Sequence, residues 1–184
     1  MPLLSLAAVL TIIGSTFAAT AEEVGYNTPV YDPVAKRYFA IVDGHNPQDI
    51  YRGINWIHAY AQAQTREFHG VRGRLAIVDS LEVHEFLMRT FRPKSETWVG
   101  LRYMCLAHKL ETSAGRALAK NSFQAWDPNW NQDSYHCNQP EEAKPQDKFE
   151  PVAYTPVDKG FRWIVKGWGK EYFAYFIEFP TGQP

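Results

Sequence analysis

Apolar positions change their period several times along the chain, and each change marks an element. Tyr38-Phe39-Ala40-Ile41-Val42 is a β-branched and aromatic run closed by Asp43-Gly44, which predicts a strand and a turn. Trp56, Ala59, Tyr60 and Ala63 then fall at i, i+3, i+4 and i+7, one face of an amphipathic helix. The polar residues 65–74, with Gly70 and Gly73, read as a loop, followed by the brief apolar run Leu75-Ala76-Ile77-Val78. Asp79-Ser80 supplies a second helix start, with Glu82 three residues after Asp79 completing a capping box. Val83, Phe86, Leu87 and Phe91 form that helix's buried stripe, and Pro93 ends it. Thr97-Trp98-Val99-Gly100-Leu101 is again strand-like, which predicts a core of Trp98 and Leu101 packed against Leu75, Phe86 and Leu87.

Beyond that strand the pattern dissolves. Residues 104–148 show neither helical nor alternating periodicity, and Pro128, Pro140 and Pro145 interrupt them. So long an irregular stretch in a compact domain is usually functional or stapled. Regularity returns with Val152-Ala153-Tyr154, residues 161–165 and residues 172–177, three runs that predict an antiparallel meander. No internal repeat is present.

Residues 3–19 are apolar or small without an ionisable side chain, and Ala19-Thr20-Ala21 has the small-x-small form of a signal-peptidase site. The expectation is a signal peptide over 1–21, with a retained anchor as the alternative. An N-terminal segment follows over 22–35, then a globular domain over 36–184. No later stretch reaches the roughly 20 apolar residues of a membrane span. The expected location is therefore secreted or extracytoplasmic, in the periplasm or at the cell surface. In that setting the single pair of cysteines, Cys105 and Cys137, most simply forms one disulfide, the alternative being two buried thiols. Its loop of about 33 residues would contribute roughly 3–4 kcal/mol.

Composition narrows the function classes. With 19 Lys+Arg against 20 Asp+Glu the net charge is -1, without the basic excess of a nucleic-acid binder. A hydrophobic fraction of 45% excludes a disordered acidic chain, and 15% aromatics fit a β-rich core or a stacking surface. The six histidines form no HExxH or His-x-x-x-His pair, and neither a Gly-x-Ser-x-Gly elbow nor a phosphate loop is present. Nothing nominates a catalytic group, a metal site or a cofactor, so the chain reads as a binding module rather than an enzyme.

The order of these elements, with Trp56-Ile57-His58-Ala59, Gly73-Arg74-Leu75-Ala76-Ile77, Trp98-Val99-Gly100-Leu101, Phe123-Gln124-Ala125-Trp126, Trp163 and Phe176-Ile177-Glu178, resembles the C-type lectin-like domains over residues 36–179. The resemblance implies an α+β fold, two helices packed on small antiparallel sheets with a long irregular loop region. It also implies a cysteine pair where this chain has Ala63 and Ile177, and a second where it has Val152 and Trp168.

Calcium-dependent members hold the ion between a Glu-Pro-Asn or Gln-Pro-Asp triplet and an Asn-Asp pair after the strand tryptophan. Here Trp163 is followed by Ile164-Val165, which carry no side-chain oxygen, while Gln139-Pro140-Glu141 is a near match to the triplet or an ordinary solvated turn. Glu150 stands where a further acidic ligand is expected. The expectation is therefore a binding module without a metal. Its ligand-binding residues are Trp130, Tyr135, Asn138, Gln139, Glu141 and Glu150, with Trp126 turned into the core. Its leading ligand is a glycan; the alternative is an envelope or host surface protein, as for an adhesin or receptor.

Overall fold

The computed structural model describes residues 24–105, 107–119, 121–130 and 149–184. The expected leader over 1–21 lies outside the described residues. Strands β1 (Val30–Asp32) and β2 (Arg37–Asp43) form an antiparallel pair, and helix α1 spans Trp56–Thr65. A short hairpin of β3 (Glu67–Phe68) and β4 (Val71–Arg72) leads into β5 (Arg74–Leu75), and helix α2 follows over Leu81–Phe91. Strand β6 (Thr97–Met104) and β7 (Lys109–Thr112) form a second hairpin; β8 (Phe149–Tyr154), β9 (Trp163–Val165) and β10 (Ala174–Phe179) complete the chain. The main strand order is β1-β2-β10-β6-β8-β9, with β5 added to β10 and β7 to β6.

The two helices cover opposite faces of this sheet. Along β2, Phe39 and Ile41 join the cluster under α2 with Val83, Leu87 and Phe91, whereas Ala40 and Val42 join the cluster under α1 with Trp56, Ala59 and Ala63. In β10, Phe176 faces the first cluster while Tyr175 and Ile177 face the second. Strands buried on both faces read as continuous apolar runs, which is why these segments show no alternation. The expected core is present: Trp98, Leu101, Leu75 and Leu87 are fully buried, while Phe86 packs partly buried at the margin.

The Trp98-Val99-Gly100-Leu101 run has a backbone explanation. The register with β8 shifts between Trp98 and Arg102, and there the Gly100 amide donates to the Ala76 carbonyl at 2.8 Å. A Cβ at Gly100 would collide with the Leu75 carbonyl, so glycine alone permits this approach. Gly73 acts similarly where the expected cysteine pair is absent: a Cβ there would lie 2.5 Å from Ile177 Cδ1 and 2.8 Å from the Ala63 carbonyl oxygen. Close packing of Ala63, Gly73 and Ile177 occupies the place of that crosslink.

Four expectations differ locally. The loop over 65–74 contains the β3–β4 hairpin, turned by His69 and Gly70 with φ of 49° and 73°. The cap of α2 is Ser80, which accepts from the Val83 amide at 3.3 Å; Asp79 lies one residue outside and bonds Arg37 instead. The irregular stretch after residue 104 contains β7, whose four residues are too few to show a period. The third run of the meander leaves its neighbour: β9 pairs with β8, but β10 pairs antiparallel with β2 and parallel with β6. Long-range apolar pairing overrides sequence proximity there.

Candidate functional site

The long-loop face is built on the β6–β8–β9 side of the sheet. Strand β9 holds residues 125–127 by two backbone bonds: the Trp163 amide donates to Ala125 at 2.7 Å and the Asp127 amide to Trp163 at 3.0 Å. Asp127 then caps its own turn, its Oδ1 accepting from the Asn129 amide at 2.7 Å and its carbonyl from the Trp130 amide at 2.9 Å. This turn lays Trp130 on Trp126, with ring centroids 4.0 Å apart and planes 18° from parallel. Tyr103 of β6 meets both indoles edge-on, at 5.8 Å and 5.0 Å.

Trp126 is half-buried against the core, with its Nε1 donating to Gln124 Oε1 at 2.9 Å. Trp130 is half-buried as well, so the stacking surface expected of it is shared with its neighbour; its Nε1 is buried and has no hydrogen-bond partner among the described residues. Glu150 pairs across the ladder with Tyr103, so both side chains leave the same face of the sheet. Glu150 is 4% exposed, and its Oε2 has no partner among the described residues. Burial pushes its carboxyl up to about 7. Of the expected ligand-binding residues, Trp130 and Glu150 therefore converge on Tyr103. Tyr135, Asn138, Gln139 and Glu141 lie outside the described residues, as does Cys137, while Cys105 is buried just past the end of β6.

Two polar clusters escaped the sequence reading. Glu178 of β10 is fully buried; it accepts from Arg37 Nη1 at 2.9 Å, Arg74 Nε at 2.6 Å and the Ile77 amide at 3.2 Å. His84 of α2 is buried with its Nδ1 2.8 Å from the Tyr154 hydroxyl, and burial, with Arg162 nearby, lowers its pKa. Its spacing of three and seven from Leu87 and Phe91 places it on the stripe and was the available signal. The Glu178 cluster ties β10 to β2, β5 and the segment before α2, and His84 ties α2 to β8 and to Phe123 of the long loop region.

A cavity of about 690 Å³ opens beside the indole pair, between the β6–β7 hairpin and residues 118–126. Tyr103, His108, Lys109, Ser122, Gln124 and Trp126 contribute to its lining.

The architecture is that of a lectin domain. The C-type lectin domain model matches residues 58–151, 94 of the 184 residues, and the chain belongs to that family. Solved structures share the fold at low identity. The cow C-type carbohydrate-recognition domain of CD23, in the presence of a GlcNAc2Man3 oligosaccharide, aligns with TM-score 0.52 and 18% identity over 85% of this chain and 95% of its own. A calcium-independent type II antifreeze protein aligns with TM-score 0.52 and 17% identity, covering 86% and 96%. The Ca2+-independent C-type lectin SPL-2 from Saxidomus purpuratus aligns with TM-score 0.52 and 12% identity, covering 79% and 88%. No curated protein matches the sequence. As a member of a lectin family, the chain is a binding module rather than an enzyme.

Proposed function

We propose that this domain binds carbohydrate through the long-loop face without calcium. The observation that carries the reading is the Trp126–Trp130 stack beside Tyr103, a rigid aromatic platform of the kind on which sugar rings lie. Glu150 and the loop residues Tyr135, Asn138, Gln139 and Glu141 would supply hydrogen bonds around it.

The residues present do not fit calcium. The ion takes six to eight oxygens. In β9, Trp163 is followed by Ile164 and Val165, which supply none from their side chains. Of the described carboxylates on this face, Asp127 is engaged by the Asn129 amide, and burial raises Glu150 to about 7, so that it is only partly ionised near neutral pH. Among the described residues no group of three or more His, Cys, Asp or Glu side chains is arranged to hold a metal. The antifreeze protein and SPL-2, which share the fold, are calcium-independent, which supports a fold of this kind standing without the ion.

A glycan array probed in millimolar calcium and again in excess chelator tests the reading. Binding should be equal in the two conditions, with the melting temperature unchanged. Trp130→Ala should weaken it roughly tenfold, equivalent to about 1.4 kcal/mol of stacking. A signal abolished by chelator would restore a metal-dependent site; a blank array with capture of a surface protein would favour the adhesin or receptor reading.

A further inference from the structure

The cavity beside the indole pair shares Tyr103 and Trp126 with the aromatic platform, while the described residues Trp130 and Glu150 do not line it. At about 690 Å³ it falls within the roughly 300–1,000 Å³ typical of small-ligand sites. We propose that it is a subsite for an anionic sugar, a pyranose ring carrying one carboxylate or sulfate group. This deepens the glycan reading above and rests on it.

The argument is the inventory of polar groups. The described lining contains Lys109 and no carboxylate. Lys109 Nζ lies 3.0 Å from Glu111 Oε1, but Glu111 is also engaged by Arg102 at 3.2 Å through its other oxygen. The trio therefore carries one excess positive charge at the cavity edge. The remaining polar side chains can each donate a hydrogen bond. Gln124 gives its amide oxygen to the Trp126 indole N–H, which leaves the amide NH2 for a ligand. Ser122 Oγ is buried with no hydrogen-bond partner among the described residues. His108 is set at the rim by the contact of its Nδ1 with the Tyr103 hydroxyl at 3.1 Å. A cavity whose described side chains can donate, with no carboxylate among them and one excess positive charge at its edge, is complementary to a ring bearing hydroxyl oxygens and one anionic group, and Trp126 and Tyr103 supply apolar wall for the ring carbons.

Tryptophan fluorescence and NMR titration of the whole protein with glucuronate, glucose 6-sulfate and glucose reads this out. Both anionic sugars, or one of them, should bind at least tenfold tighter than glucose, with affinity falling as salt rises; which one binds identifies the anionic group. Lys109→Gln should erase that preference at unchanged melting temperature, because Lys109 is about half exposed and outside the core. Ser122→Ala should weaken all three sugars without altering the preference. Equal binding of the three sugars, a preference that survives Lys109→Gln, or binding of a poly-glutamate peptide in their place would overturn the proposal. An array positive for neutral glycans and indifferent to Lys109→Gln would sink the anionic subsite alone. A blank array would remove the glycan reading with it.

Discussion

At the scale of single residues, burial decides the chemistry of the acidic side chains. Glu178 sits in the sheet between Arg37 and Arg74, so full burial, which raises its pKa, is opposed by two guanidiniums and an amide. Glu150 has no such partner among the described residues, and desolvation alone raises its carboxyl from 4.5 to about 7. The folded state then holds a proton that the unfolded chain releases between those values, so this group's contribution to stability is fully present below about pH 4.5. It is lost as pH rises through about 7. Glu150→Gln, which mimics the neutral form, should match the wild type at pH 4. At pH 8 it should exceed it by on the order of 1–3 kcal/mol in urea denaturation. A difference independent of pH would show that the carboxyl is solvated.

At the scale of elements, α2 is the helix whose pattern and packing agree most fully. Ser80 caps its first turn, Arg92 ends it in the left-handed region with φ 44°, and Pro93 prevents continuation. Val83, Leu87 and Phe91 meet Phe39, Val99 and Phe176 in one cluster. Leu87 is fully buried, so Leu87→Ala should leave a cavity costing about 2–5 kcal/mol. A loss below about 0.5 kcal/mol in chemical denaturation would place Leu87 at the surface. The stripe was visible because its period is local. The capping residue was misplaced by one position, because Asp79 and Ser80 are equally good caps and the choice was made by Arg37, 42 residues away, which takes Asp79.

At the scale of the whole molecule, the same division between local and distant causes holds. We propose that export removes residues 1–21 and that Cys105 and Cys137 pair, tethering the loop region to the end of β6. Alkylation of the non-reduced mature protein followed by mass spectrometry should find no modified cysteine and an N-terminus at Glu22. Two alkylated cysteines, or retained residues before Glu22, would refute the corresponding step. Helices, the strand containing Gly100 and the family resemblance were legible in the chain, because apolar period, caps and glycine punctuation act within a few residues of each other. The parallel pairing of β10 with β6, the burial of Glu178 and His84 and the convergence of Trp130 with Glu150 on Tyr103 were not. Each depends on segments tens of residues apart, whose contact is chosen by packing on two faces of one sheet. The excess charge beside the cavity belongs to the same class: it exists only because the β6–β7 hairpin places Arg102 and Lys109 against one Glu111.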